Sequence, residues 1–151
     1  MDRETIYFYD KPSDRVKEEH IFLNNFAFSP FVIDNLEYKT VEHFYQANKF
    51  KDSQFEDVRI AETPDEAKRL AHSFGVNEEE WDKRKDEVMM RALKAKFDQH
   101  LELKEQLLNT GNLKLVEDSQ RDLYWGGAME GSKNRLGEML EELRSNYRKS
   151  N

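Results

Sequence analysis

The sequence predicts an α+β fold, a helix-dominated single domain over residues 1–151 with a small β-sheet. Three observations predict it. Segments rich in β-branched and aromatic residues are short, and one lies early in the chain and one late. Long stretches between and after them carry apolar residues at helical spacing. Capping signals mark where those stretches begin. A chain of 151 residues is one domain's length and buries a core without staples.

Thr5-Ile6-Tyr7-Phe8-Tyr9 reads as the first strand. Residues 10–20 are polar and read as loop, and the aromatic run Phe22 to Phe31 follows neither period. Phe31-Val32-Ile33 and Leu36-Glu37-Tyr38 flank Asp34-Asn35, which predicts a tight hairpin. Thr40 caps a helix running from Val41 to about Lys51. Thr63-Pro64-Asp65-Glu66 is a capping box with proline at the first helical position, and that helix ends at Gly75. Asn77 caps the next helix, with Glu80 three residues on, and its stripe runs through Trp81, Val88, Met89, Ala92 and Leu93 to Phe97. Leu101 to Leu108 forms a further helix closed by Thr110-Gly111, and Leu113 to Val116 is a short strand. Ser132 caps the last helix, whose Leu136, Met139, Leu140, Leu143 and Tyr147 share one face.

Composition narrows the function. Cysteine is absent, so there is no disulfide and no thiolate nucleophile. No stretch approaches the ~18 apolar residues that span a membrane. The start, Met1-Asp2-Arg3-Glu4-Thr5, has no apolar signal core, so a cytoplasmic protein is expected. A net charge of −7 argues against general binding to duplex DNA. The four histidines are widely spaced, no H-E-x-x-H occurs, and no metal site is expected.

Three stretches hold the unusual polar and aromatic residues. In the first, Asn25 and Phe26 lie inside the aromatic run before Ser29-Pro30, a pattern suited to stacking a planar base and reading its edge. Phenylalanines plugging the core explain it as well. In the second, Glu42, Gln46 and Lys49 fall at i, i+4 and i+7, opposite Val41, Phe44 and Tyr45. A carboxylate, an amide and an ammonium in one row suit a ribose and a phosphate, although a solvated helical face looks the same. His43 beside them invites a general-base reading, although a lone histidine among aromatics is more often a hydrogen-bonded structural residue.

The third stretch runs from Asp122 to Arg135. Three of the six glycines fall here, as Gly126, Gly127 and Gly131, with Trp125, Asp122 and Glu130 among them. Glycines let backbone approach a ligand closely, and the run ends at a helix N-terminus that favours an anion. A turn that merely positions the last helix is the competing explanation.

Taken together, these segments resemble the NADAR family, which includes the riboflavin-biosynthesis intermediates N-glycosidases. The matching stretches include Phe22-Leu23-Asn24-Asn25-Phe26, Glu37 to Ala47 with Thr40-Val41-Glu42-His43, Thr63 to Lys68, Trp81-Asp82, Ala92 to Phe97, and Tyr124-Trp125-Gly126 through Asn134-Arg135-Leu136-Gly137. The resemblance implies hydrolysis of an N-ribosyl bond. Its substrate would be a ribosylamino-pyrimidine phosphate of the riboflavin pathway, or ADP-ribose attached to guanine.

Such a bond breaks through an oxocarbenium-like transition state, which needs a carboxylate near the sugar. Glu42 is the first choice, with Asp122 and Glu130 as second choices. Trp125 and Phe26 are the candidate stacking faces. Lys49, Lys133 and the amides after Gly131 are candidates for phosphate, while Gln46, Asn25, Gly126 and Asn134 complete the candidate site. No metal or organic cofactor is required. The alternative is a non-catalytic ADP-ribose or NAD-related nucleotide-binding module, which needs no carboxylate at the anomeric carbon. A helical partner-binding domain would make all these residues structural.

Overall fold

The structure is a computed structural model, and it describes residues 4–150; the first three residues of the polar start lie outside the described residues. In chain order the elements are β1 (Thr5–Phe8), a 3₁₀ helix (Glu18–Leu23), β2 (Phe31–Ile33), β3 (Leu36–Tyr38), α1 (Val41–Ala47), α2 (Asp52–Arg59), α3 (Pro64–Phe74), α4 (Glu78–Gln99), α5 (Leu101–Asn109), β4 (Lys114–Glu117) and α6 (Arg135–Lys149). Helix dominates and the strands are short, as the α+β reading expects. Among the described residues two compact units form, one within 4–24 and 101–150, the other within 25–100.

In the first unit β1 and β4 pair in parallel, in register from Thr5 with Lys114 to Phe8 with Glu117. The early strand and the late strand therefore share one small sheet. Ile6 and Phe8 on β1, with Leu115 and Val116 on β4, are buried. The predicted stripe of α6 packs on β4, and Leu136, Met139, Leu140, Leu143 and Tyr147 are all buried. Arg144 on the same helix is buried too, and its guanidinium donates to Thr110 Oγ1 at 2.7 Å and to the Leu113 carbonyl at 2.9 Å. A buried cation is tolerated because its donors are used.

The second unit is built from the hairpin and four helices. Asp34 and Asn35 have φ of 53° and 68°, the left-handed pair that a two-residue hairpin turn requires. Phe31 and Tyr38 stack across the hairpin with centroids 5.7 Å apart, and Phe44 of α1 meets the Tyr38 edge at 4.9 Å. Gln99 at the end of α4 satisfies the β2 edge, accepting from Val32 N at 2.9 Å and donating to Val32 O at 2.8 Å. Small residues let α1, α2 and α3 approach closely: Ala47, Val58, Ala61, Ala67 and Ala71 form one cluster, with Phe50, Phe55, Leu70 and Phe74 packed around it. The caps at Thr40, Thr63 and Asn77 each accept from the backbone N–H three residues on.

Four expectations need correction. The helix expected to run from Val41 to Lys51 stops at Ala47. Asn48 folds its amide back onto the Phe44 carbonyl at 2.8 Å, competing with the helical ladder, and Phe50 turns into the alanine cluster. Chain 52–59 then forms α2, which the periodicity did not reveal. The polar loop is partly a 3₁₀ helix over Glu18–Leu23. Ser132 does not cap the last helix. The cap is Asn134, in the left-handed region at φ 53°, and the Ser132 hydroxyl donates to the Met129 carbonyl.

Candidate functional site

Every residue of α1 is buried, so the face carrying Glu42 and Gln46 is not a solvated one. Glu42 is 7% exposed and Gln46 3%. One turn apart on the helix, they pair as spacing predicts: the Gln46 amide donates to Glu42 Oε2 at 2.7 Å. A carboxylate only accepts, so this bond fixes which end of the amide is oxygen. That oxygen, Gln46 Oε1, is buried and has no partner.

Asn25 joins the same group from the aromatic run. Its carbonyl accepts the Glu42 backbone N–H at 3.1 Å, which anchors the loop on the first turn of α1. Its amide nitrogen lies 3.5 Å from Met89 Sδ on α4, a weak acceptor. Asn25 Oδ1 is buried without a partner, like Gln46 Oε1. Such an oxygen carries a penalty of ~1–3 kcal/mol until something donates to it. Phe26, the next residue, is half-buried.

Lys49 leaves the helical row, because the helix has ended, yet it stays within reach of the Glu42 charge. Burial pushes its ammonium below the ordinary lysine value, while the Glu42 and Glu78 carboxylates oppose that shift. Its Nζ sits 5.4 Å from the Tyr45 ring centre and 5.6 Å from that of Trp81. Trp81 donates from Nε1 to Tyr45 Oη at 3.2 Å, so the two rings form a fixed aromatic corner beside the ammonium. Asn25, Glu42, Gln46 and Lys49 are thus brought together, with Trp81, Tyr45 and Met89 as supports.

The stretch 122–134 is arranged differently. Asp122 Oδ1 accepts from the backbone N–H groups of Tyr124 and Trp125 at 2.9 and 2.8 Å. The amides expected to cradle phosphate are in use: Lys133, Asn134, Arg135 and Leu136 donate to the carbonyls of Leu123, Gly126, Tyr124 and Trp125. Asn134 is engaged at both ends, accepting from Glu117 N at 3.2 Å and donating to Leu115 O at 2.9 Å. A Cβ on Gly126 would lie 2.6 Å from the Asp122 carbonyl oxygen, and one on Gly127 2.5 Å from Asn134 Cβ. These glycines admit the chain's own backbone. The amides after Gly131 and the Asn134 side chain thus hold the turn itself. Trp125 is buried, with its ring 4.9 Å from Tyr124 and edge-on to it. Glu130 and Lys133 are both exposed, and Lys133 places Nζ 5.6 Å from the Tyr124 ring centre.

Two ionisable groups add to this picture. His43 is fully buried, and burial lowers its pKa. Nε2 lies 2.9 Å from the Ala61 carbonyl and must donate, which leaves Nδ1 to accept from Thr40 Oγ1 at 2.8 Å. His43 is a neutral structural residue. Lys96 on α4 carried no assigned role, although it falls seven residues after Met89 on the buried stripe. It has no exposed surface, and burial lowers its pKa to about 7. Strongly shifted amines of this kind gather at functional sites. An open hollow of about 280 Å³ in the first unit, bordered by Glu19, His20, Phe22 and Gln106, contains none of the expected site residues. Among the described residues no group of three histidine, aspartate or glutamate side chains is placed to hold a metal, and no helix is long and apolar enough to cross a membrane.

Comparison with known proteins covers nearly the whole chain. A family model described as NADAR domain matches residues 7–148. The N-glycosidase YbiA of Escherichia coli (strain K12) is 42% identical over 124 residues, covering 80% of this chain and 78% of that protein. The riboflavin biosynthesis protein PYRR, chloroplastic, of Zea mays is 38% identical over 125 residues, covering 74% of this chain and 20% of that longer protein. The NMR structure of the E. coli protein YbiA superposes with a TM-score of 0.83 at 38% identity, covering 99% of this chain and 88% of that one.

Proposed function

The chain belongs to the NADAR family and is an N-glycosidase, and on that premise we propose that it hydrolyses the N-ribosyl bond of a nucleotide-like small molecule. Two substrates fit this reading, a ribosylamino-pyrimidine phosphate of riboflavin biosynthesis and ADP-ribosylated guanine. The name of the maize relative supports the first. The reaction takes place in the cytoplasm, requires no metal or organic cofactor, and involves no general binding to duplex DNA.

The observation that carries this reading is the buried Glu42 carboxylate, held by the Gln46 amide at 2.7 Å. A fixed negative charge in a site of low dielectric stabilises a sugar cation more strongly than one in water. As the C1′–N bond breaks, positive charge develops on C1′ and the ring oxygen. Glu42 opposes that charge and takes a proton from the attacking water, whose oxygen bonds to C1′. Glu42 passes that proton on to the leaving nitrogen, so the products are the free amine and ribose 5-phosphate, or the free guanine base and ADP-ribose. Phe26 offers a stacking face and Lys49 an ammonium for the phosphate.

The test is incubation with a ribosylamino-pyrimidine phosphate and, separately, with ADP-ribosyl-guanosine, following released base. The expected result is release from the first, abolished or strongly slowed by Glu42→Gln. Binding of both compounds without release of base would instead favour the non-catalytic module.

A further inference from the structure

Two buried amide oxygens without partners belong to residues hydrogen-bonded to Glu42, and this pattern limits what the site can hold. Gln46 Oε1 and Asn25 Oδ1 both only accept. Each belongs to a residue bonded to Glu42, one through its side chain and one through its main chain. The ligand must therefore present hydrogen-bond donors close to the atom that Glu42 serves. On an N-ribosyl compound, the donors nearest the anomeric carbon are the hydroxyls on the next two carbons of the sugar.

Resting on the N-glycosidase reading above, we propose that Asn25 Oδ1 and Gln46 Oε1 accept from the 2′- and 3′-hydroxyls of the ribose, so that the site selects ribosyl over deoxyribosyl ligands. A site built to bond a hydroxyl rejects the analogue lacking it, because its own buried acceptor is then left unpaired. Gln46 has two tasks here: its nitrogen orients Glu42 and its oxygen reads the sugar. Asn25 is the purer reader, since its bond to Glu42 runs through its main chain.

The test is equilibrium binding by calorimetry of D-ribose 5-phosphate and its 2-deoxy and 3-deoxy forms to the full chain. The wild type should bind the ribose form at least ~10-fold more tightly than each deoxy form, the scale of one unpaired buried acceptor. Asn25→Leu should lose the preference for one of the two hydroxyls and keep the other. Gln46→Met should do the converse. Equal binding of the three sugar phosphates by the wild type, or binding of none, overturns the proposal, and that comparison depends on no variant folding. So does a variant that keeps both preferences. Because sugar phosphate binding is read without turnover, a discriminating but inactive protein would refute hydrolysis alone, and an active but indifferent one would refute this inference alone.

Discussion

In the 122–134 turn, Asp122, Ser132 and Asn134 close their hydrogen bonds on the chain's own backbone, and Gly126 and Gly127 make room for it. Around α1, Glu42 and Gln46 bond each other, and two buried amide oxygens are left with nothing to accept from. Both regions carry carboxylates, amides, a lysine and aromatic rings. Residue type alone does not separate them. What separates them is where their side-chain amides bond: Asn134 is engaged at both ends, whereas Asn25 Oδ1 and Gln46 Oε1 are buried without a partner.

The largest effect should break the turn rather than the site. A Cβ on Gly137 would overlap the Leu115 carbonyl oxygen, which also accepts from Asn134 Nδ2. Backbone has no rotamer with which to yield. Gly137→Ala should therefore cost ~4 kcal/mol or more, in the range of exceptional single substitutions. A melting temperature within a few degrees of wild type would show that α6 is not locked to β4 at this point.

Lys96 tests the other region through pH. Its folded pKa of about 7 lies below the ordinary 10.5. Between those values the unfolded chain holds a proton that the folded chain does not, so stability rises with pH across the window from about 7 to 10.5. Lys96→Met should remove that slope and raise stability at pH 7 by ~4 kcal/mol, since each tenfold loss of proton affinity on folding costs about 1.36 kcal/mol. The gain should shrink towards pH 10. Urea midpoints at pH 7 and 10 that move in parallel for the two proteins would refute it.

Glu42→Gln preserves shape while removing charge. Turnover should fall by at least ~100-fold, the scale of a lost electrostatic group. Affinity for ribose 5-phosphate should change little. Near-wild-type turnover would move the catalytic assignment to Asp122 or Glu130.

Much of this was legible in the sequence where the determinants are local. Thr63-Pro64 and Asn77 with Glu80 announce α3 and α4, because a cap and its target lie three residues apart. Asp34-Asn35 announces the hairpin, and i, i+4 spacing announces the Glu42–Gln46 pair. The end of α1 was hidden, since apolar spacing continues through Phe50 and only packing among Ala47, Ala67 and Ala71 decides the turn. The structural role of Asn134 was hidden for a related reason. Its partners, Leu115 and Glu117, are 19 and 17 residues away. The unpaired oxygens at Asn25 and Gln46 are likewise visible only once the surroundings are fixed.

The finest test of the contrast is Asp122, where the two readings of one carboxylate differ by its charge. If it serves the turn, its work is to accept the Tyr124 and Trp125 N–H groups through Oδ1. Asparagine offers the same oxygen at the same place, and such turns accept either residue. Asp122→Asn should therefore change stability by less than ~0.5 kcal/mol and leave turnover within about threefold, whereas Asp122→Ala should lose ~1–2 kcal/mol with two unpaired amides. A catalytic carboxylate behaves oppositely, because asparagine keeps the turn and loses the charge. A folded, stable Asp122→Asn protein with turnover reduced by ~100-fold would place this residue in the chemistry and erase the distinction between the two regions.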